Sequence, residues 1–509
     1  MPDHSNNKDS VELIVAKNAG LSFTGTIFSI SFKLAASIIV TRALGAQIFG
    51  IYVLALAILS FGEIIALFGL ENTLVKFVSQ FKALQDAPRL RGAIYGTVGL
   101  SLIISFAVSG TLFVSIPYLA EQVFKKPSLI PVLNVITFSL PFTALNRLLL
   151  ASLQGAQLVK YQVFVTRFIL PFFRISFIIS VVLLGYGLKG LAYSHLLLQM
   201  IGAIFSGYFL LKKIPEATCF KPFDCELKKI IRFTIPLFFS TLFNQLMQRA
   251  DVLIVGFFLP ANTVGIYGIA KRFAPFILLP LEAFNNIFAP IISDLFTKQK
   301  MMELEHQFKT VARWIFISSL PIFTLLIFYS KSILSIFGHD FVSGYQAMTI
   351  ICTGQIINAA SGSVGFMLMM TGRPLVNTFN SAFLCVTNIL LSIYLTPRYG
   401  IIGAGFASAF SITVIQLLRL SEVWYFLKIH PYRSNFVKPI FSTLASVLML
   451  KLIHHYGISE IHIVMLPFLF TLYFISYTGF LWLMRFSPED HIVLNEMRAK
   501  LLKIKSQFT

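Results

Sequence analysis

Apolar residues along this chain do not alternate with polar ones as in a half-buried strand, nor do they form the narrow stripe of a soluble helix. They run together for about 20 residues at a time, and the runs are separated by short polar stretches rich in Lys and Arg. A run of that length crosses the ~30 Å hydrocarbon core as a helix. Hydrocarbon offers the backbone no partners, so the chain must close its own hydrogen bonds, and the pattern predicts helices throughout. The runs lie near 19–41, 49–70, 93–117, 130–152, 163–185, 189–211, 233–258, 264–287, 311–330, 346–370, 376–396, 402–426, 437–454 and 463–484, about fourteen spans.

Composition agrees: of 509 residues, 56% are hydrophobic, 12% are charged and 53 are Phe. The first 18 residues are polar and lack the basic stretch, short apolar core and cleavage site of a signal peptide, so the first span is read as its own targeting signal. Cys219, Cys225, Cys352 and Cys385 show no metal-ligand spacing, and neither a zinc site nor a disulfide framework is expected.

An even number of spans puts both termini on one side. Loops on that side hold about 26 of the 41 Lys and Arg residues and the opposite loops about 7, which predicts cytoplasmic termini. The same bias accounts for most of the net charge of +20, so anionic lipid headgroups suffice as its partner and nucleic acid is not required. The tail 485–509 mixes Ile492, Leu494, Met497, Leu501 and Ile504 with Arg498, Lys500, Lys503 and Lys505, as in an amphipathic helix lying on the cytoplasmic leaflet.

The chain also repeats itself. "GIYVLALAILSF" from Gly50 returns as "GIYGIAKRFAPF" from Gly265, "LQGAQLVKY" from Leu153 as "MTGRPLVNT" from Met370, and "YGLKGLAYS" from Tyr186 as "YGIIGAGFA" from Tyr399. The offset stays near 215 residues, the length of six spans, and an even number keeps both copies in one orientation across the membrane. The predicted organisation is a cytoplasmic tail over 1–18, an N-lobe of six spans over 19–211, a basic linker over 212–232, a C-lobe of six spans over 233–426, and two further spans over 437–484.

Charges within the spans are costly, about 2.5–3.5 kcal/mol each near the bilayer centre, and normally face an interior or a water-filled cavity. Lys33, Arg147, Arg167, Arg174, Arg249, Lys271, Arg272 and Arg419 stand there, against only Glu63, Asp251, Glu282 and Glu422. Arg419 and Glu422, three residues apart, read as a local pair, and Glu63 and Arg147 as a structural or a cavity pair. Lys33, Arg249, Lys271 and Arg272 fall in the outer half, with Asp251 as the nearby counter-ion. A cationic chamber of this kind suits the phosphates of an amphipathic anion whose acyl chain stays in the bilayer. No catalytic Ser/His/Asp set, phosphate-cradling glycine loop or HExxH appears, so enzymatic chemistry and a nucleotide site are not expected.

Three stretches carry a family resemblance: "TRALGAQIFGIYVLALAILSFGEIIALFGLENTLVKF" from Thr41, "RADVLIVGFFLPANTVGIYGIAKRFAPF" from Arg249 and "TPRYGIIGAGFASAF" from Thr396. The chain resembles the bacterial polysaccharide flippases of the multidrug/oligosaccharidyl-lipid/polysaccharide exporter superfamily, which include O-antigen and teichuronic acid flippases. The resemblance implies an all-α integral membrane protein of about fourteen transmembrane helices, with two parallel six-helix lobes and two extra C-terminal helices in a MATE-like exporter fold. It further implies an inner-membrane transporter that flips undecaprenyl-pyrophosphate-linked oligosaccharide repeat units to the outer leaflet by alternating access for cell-surface polysaccharide biosynthesis. Its partners would then be that lipid-linked sugar, anionic lipids and a polysaccharide polymerase, with no cofactor beyond coupling to a proton or sodium gradient. Helices that line the cavity in such folds place Lys33, Glu63, Arg147, Arg249, Asp251, Lys271, Arg272, Glu282 and Gln355 near it. The expected substrate-binding set is Lys33, Arg147, Arg249, Lys271 and Arg272; Glu63, Asp251 and Glu282 are the counter-ion or ion-coupling set. Two alternatives are a cation-coupled multidrug exporter, which would want an acidic interior, and a membrane glycosyltransferase or polymerase, which would want a catalytic carboxylate or a large outer loop.

Overall fold

The computed structural model of the protein describes residues 4–217, 226–457 and 466–484, and among these every regular element is a helix. The tail 485–509, part of the basic linker, Cys219 and Cys225 lie outside the described residues. By Cα proximity the chain divides into two compact units, Met1–Gly268 and Ile269–Thr509.

The first unit comprises α1 (His4–Leu67), α2 (Leu70–Ala83), α3 (Ala87–Pro117), α4 (Ile130–Ile136), α5 (Leu140–Gly155), α6 (Val159–Phe164), α7 (Leu170–Leu183), α8 (Gly187–Lys213), α9 (Leu227–Phe258) and most of α10 (Ala261–Lys271). The second holds the end of α10, then α11 (Ala274–Thr297), α12 (Met301–Phe328), α13 (Ser330–Ser335), α14 (Tyr345–Ala360), α15 (Val364–Met370), α16 (Pro374–Leu427), α17 (Lys438–Gly457) and α18 (Leu466–Leu483). α1 and α16 are each two spans joined end to end. Gly45 (φ 78, ψ 174) breaks the first and Gly400 (φ 60, ψ −142) the second, both in backbone regions essentially closed to residues with a Cβ. With each of these rods taken as two crossings, the two bent pairs (Leu227–Phe258 and His339–Met370) as one each, and the shorter apolar helix Phe468–Leu483 included, the described residues supply fourteen apolar crossings, as the sequence predicts.

Packing explains why α9 belongs with the first unit. Thr234 Oγ1 on α9 donates to Thr73 Oγ1 on α2 at 3.0 Å, and the Lys76 ammonium sits 3.6 Å from the centroid of the Phe233 ring. At the other end of α9, Lys126 Nζ donates to the carbonyl of Gly256 at 2.5 Å, placing a cation on the negative end of the helix dipole. Burial holds this ammonium's pKa below the usual lysine range. Beneath these contacts, Leu70, Leu74, Phe77 and Phe81 of α2 and Leu148 and Leu153 of α5 form one buried cluster with Leu90 and Ile94 of α3.

The copied "GIY" stretches meet each other. A side chain on Gly50 would overlap the carbonyl of Ala261 and crowd the amide of Gly265, and one on Gly265 would overlap the carbonyl of Ala46 and crowd the backbone of Gly50. Glycine at both positions is therefore what allows the backbones of α1 and α10 to touch.

Candidate functional site

Glu63 sits on the second half of α1, one turn before its end at Leu67. The chain turns through Phe68 and Gly69, both at positive φ (48° and 75°), and restarts as α2 at Leu70, so Glu71 in its first turn returns toward the same spot. Arg147, in the middle of α5, is clamped between the two carboxylates: its Nη2 lies 3.6 Å from Glu63 Oε2 and its Nη1 3.6 Å from Glu71 Oε2. Arg249 on α9 is the next positive charge felt by Glu63. A small chamber of about 40 Å³, lined by Glu63, Glu71, Arg147, Thr241 and Gln245, adjoins the clamp, with room for about one water. Two carboxylates on one guanidinium leave the cluster with a formal charge of −1.

Asp251 is 1% exposed on α9, where Tyr267 of α10 donates its hydroxyl to Oδ2 at 2.8 Å and the amide of Val252 donates to Oδ1 at 2.8 Å. Tyr267 is itself fully buried. This pair ties α9 to α10 two residues along α10 from the Gly50–Gly265 contact. Tyr267→Phe removes one donor to a buried carboxylate, and we expect unfolding in detergent to become easier by about 1–3 kcal/mol while the helix content stays unchanged. An unchanged denaturation midpoint would show that the hydroxyl contributes nothing.

Of the other residues singled out in the sequence, Lys33 on α1 and Arg249 on α9 are accessible, Glu282 is accessible on α11, and Gln355 on α14 is half-buried. Lys271 and Arg272 are half-buried where the eighth predicted span is interrupted: α10 ends at Lys271, and α11 restarts at Ala274 with Pro275 in its first turn. The structure thus brings Glu63 and Arg147 into one cluster, Asp251 into another, and places the adjacent cations at a helix discontinuity.

Three features escape the charge pattern. Glu71 lies past the predicted end of the second span, and Tyr267 is one of 17 tyrosines with nothing to mark it. The expected local pair Arg419–Glu422 does not form: Glu422 Oε2 accepts from Asn380 Nδ2 at 2.5 Å, and Arg419 turns toward Ser381, with Nη2 to Oγ at 3.5 Å. Arg419 instead borders a cavity lined by Asn285, Asn358, Ser363, Asn377 and Gln416. The one available signal was four amides inside runs otherwise apolar.

Helices of this length and hydropathy, with ion clusters held inside them, define a multi-pass membrane protein. Residues 39–343 match the polysaccharide biosynthesis protein family, and the chain belongs to it. An uncharacterized membrane protein of Methanocaldococcus jannaschii is 24% identical over 402 residues, 75% of this chain and 77% of the relative. A probable low-salt glycan biosynthesis flippase of Haloferax volcanii is 25% identical over 180 residues, 35% of this chain and 38% of that one. Among solved structures, the lipid II flippase MurJ in an inward closed conformation superposes with a TM-score of 0.71 at 16% identity, covering 90% of this chain and 97% of that one. The fold is therefore that of the exporter superfamily expected from the sequence.

Proposed function

We propose that the protein flips an undecaprenyl-pyrophosphate-linked oligosaccharide from the cytoplasmic to the outer leaflet of the bacterial cytoplasmic membrane by alternating access, as a step in cell-surface polysaccharide assembly. The observation that carries this reading is the match of residues 39–343 to polysaccharide biosynthesis proteins in a chain that folds like a lipid flippase. The charge balance supports it: the spans hold more cations than carboxylates, which favours an anionic headgroup over an organic cation. In this reading the termini are cytoplasmic, following the Lys and Arg bias of the loops.

Lys271 and Arg272 attract the pyrophosphate; Lys33 and Arg249 are the further cations expected to bind it, whereas the charge of Arg147, also expected there, is taken up by Glu63 and Glu71. A chain interrupted between α10 and α11 is a form that transport folds use to present charge and backbone groups to an ion inside the membrane. Asp251, Glu63 or Glu282 couples the return step to a proton or sodium gradient. The acyl chain remains in lipid throughout, so only the headgroup must be desolvated, and the cations lower that cost.

The test is a liposome assay in which a labelled lipid-linked oligosaccharide on one leaflet becomes accessible to a membrane-impermeant sugar oxidant. Intact protein is expected to move it, and Lys271→Ala/Arg272→Ala to slow the movement at least about tenfold, since each charge-assisted contact contributes about 1.5–3 kcal/mol. Unchanged movement by a well-folded double variant would remove these two residues from the mechanism. Export of organic cations in place of lipid-linked sugar would replace the reading with that of a multidrug exporter.

A further inference from the structure

We propose that the cavity inside the second unit is a binding site for one sugar ring, a polyhydroxylated and uncharged ligand. The proposal rests on the flippase reading only for the source of that ring, the glycan of the transported lipid. The cavity has a volume of about 190 Å³ and is lined by Asn285 on α11, Asn358 on α14, Ser363 in the following turn, and Asn377, Gln416 and Arg419 on α16. That volume is about six times the ~30 Å³ share of a water molecule, which admits a pyranose ring and excludes a whole lipid-linked oligosaccharide.

The wall is unsatisfied in a specific way. Asn285 Oδ1, Ser363 Oγ, Asn377 Oδ1, Gln416 Oε1 and Arg419 Nε are all buried without a hydrogen-bond partner in the chain. Gln416 and Ser363 are only 3% and 2% exposed. Gln416 spends its amide group on Asn358 Oδ1 at 2.6 Å, and Asn358 in turn donates to Gln355 Oε1 at 3.3 Å, so a chain of amide hydrogen bonds fixes Asn358 and Gln416 in the cavity wall. Buried polar side chains are normally paired, and a cavity whose wall carries four amides, a hydroxyl and a guanidinium suits a ligand that brings its own hydroxyls.

Charge narrows the class. A metal or organic cation would meet the guanidinium of Arg419, an apolar ligand would leave an amide-rich wall without partners, and a bare anion would meet a wall of four neutral amides with a single cation. Sugar hydroxyls both donate and accept, so they serve the amide oxygens and the guanidinium together. Gly365 lines the same space, and a Cβ there would lie 3.5 Å from Asn377 Oδ1 and 3.7 Å from Arg419 Nη1, in ordinary contact. A larger side chain at Gly365 would therefore enter the cavity beside Asn377 and Arg419 and occupy its space.

The test is saturation-transfer NMR on the full-length protein in lipid nanodiscs with a panel of free hexoses, N-acetylhexosamines and hexuronic acids. At least one sugar is expected to receive saturation from the intact protein. Gly365→Leu should weaken that binding at least about tenfold, and Asn377→Ala and Gln416→Ala about three- to tenfold each, as expected for one lost hydrogen bond. No transfer to any sugar, or transfer undiminished in all three variants, overturns the proposal whatever the liposome assay shows. Sugar binding that the variants abolish, in a protein that moves no lipid-linked sugar, sustains the site and overturns the flippase reading instead.

Discussion

Arg147→Leu is expected to lower the unfolding free energy of the purified protein by about 3 kcal/mol, near the low end of the roughly 3–5 kcal/mol seen when one partner of a buried ion pair is removed. The low end applies because Arg147, Glu63 and Glu71 keep 36%, 17% and 33% of their side-chain surface accessible. The physical cause is not the loss of two attractions but what remains: two carboxylates turned toward each other inside the membrane region with their shared cation gone. A second substitution should reverse much of the damage. Glu63→Gln in the Arg147→Leu background removes one of the stranded charges, and a double-mutant cycle should give a coupling of about 1–3 kcal/mol. Arg147→Lys should fall between, since a single ammonium cannot span both carboxylates as the planar guanidinium does. If Arg147→Leu unfolded at the same denaturant concentration as the intact protein, the clamp would be an incidental contact.

Gly265→Val is expected to have the second large effect. Its side chain would overlap the Ala46 carbonyl and press on Gly50, and neither obstacle is the flexible end of a side chain. Overpacking of this kind costs about 1–3 kcal/mol, and here the backbone itself must retreat, so the upper end is expected. Gly110→Ala is the matched control, because a Cβ there meets nothing within 4 Å and alanine improves an exposed helix by about 0.5–1 kcal/mol. Thermal unfolding separates the two at once. In the liposome assay Gly265→Val should also lose most movement if α1 and α10 must close on each other once per cycle; full activity with intact stability would show that the contact is dispensable.

Much of this architecture is legible in the sequence because the membrane enforces it. Twenty apolar residues in a row can do little but cross as a helix, which is why the crossings agree. The breaks at Gly45 and Gly400 fall in the gaps between predicted spans, where a chain reversing direction needs a residue free of Cβ. Contacts across the bundle are another matter. Glu71 follows the end of the second predicted span, and only the turn at Phe68–Gly69 folds it back onto Arg147. Arg419 and Glu422 were neighbours by helical spacing, yet Asn380, 42 positions away in sequence from Glu422, is the partner that the carboxylate takes. The amides around the second cavity carry no charge, so a search for charge in apolar runs passes over them. Periodicity reports which residues share one helix; it does not report which helices share a neighbour.

The meeting of the two "GIY" stretches follows a symmetry. Gly50 approaches Ala261 and Gly265, while Gly265 approaches Ala46 and Gly50, and each of these pairs is related by the same shift of 215 positions. Contacts that map onto themselves when the partners are exchanged are the signature of a two-fold axis. A chain one repeat long, about 215 residues, could make the same contact with a second copy of itself. Joined in one chain, the two faces need not be identical, and only the copy that begins at Gly265 carries Lys271 and Arg272, where the first has Leu56 and Ala57.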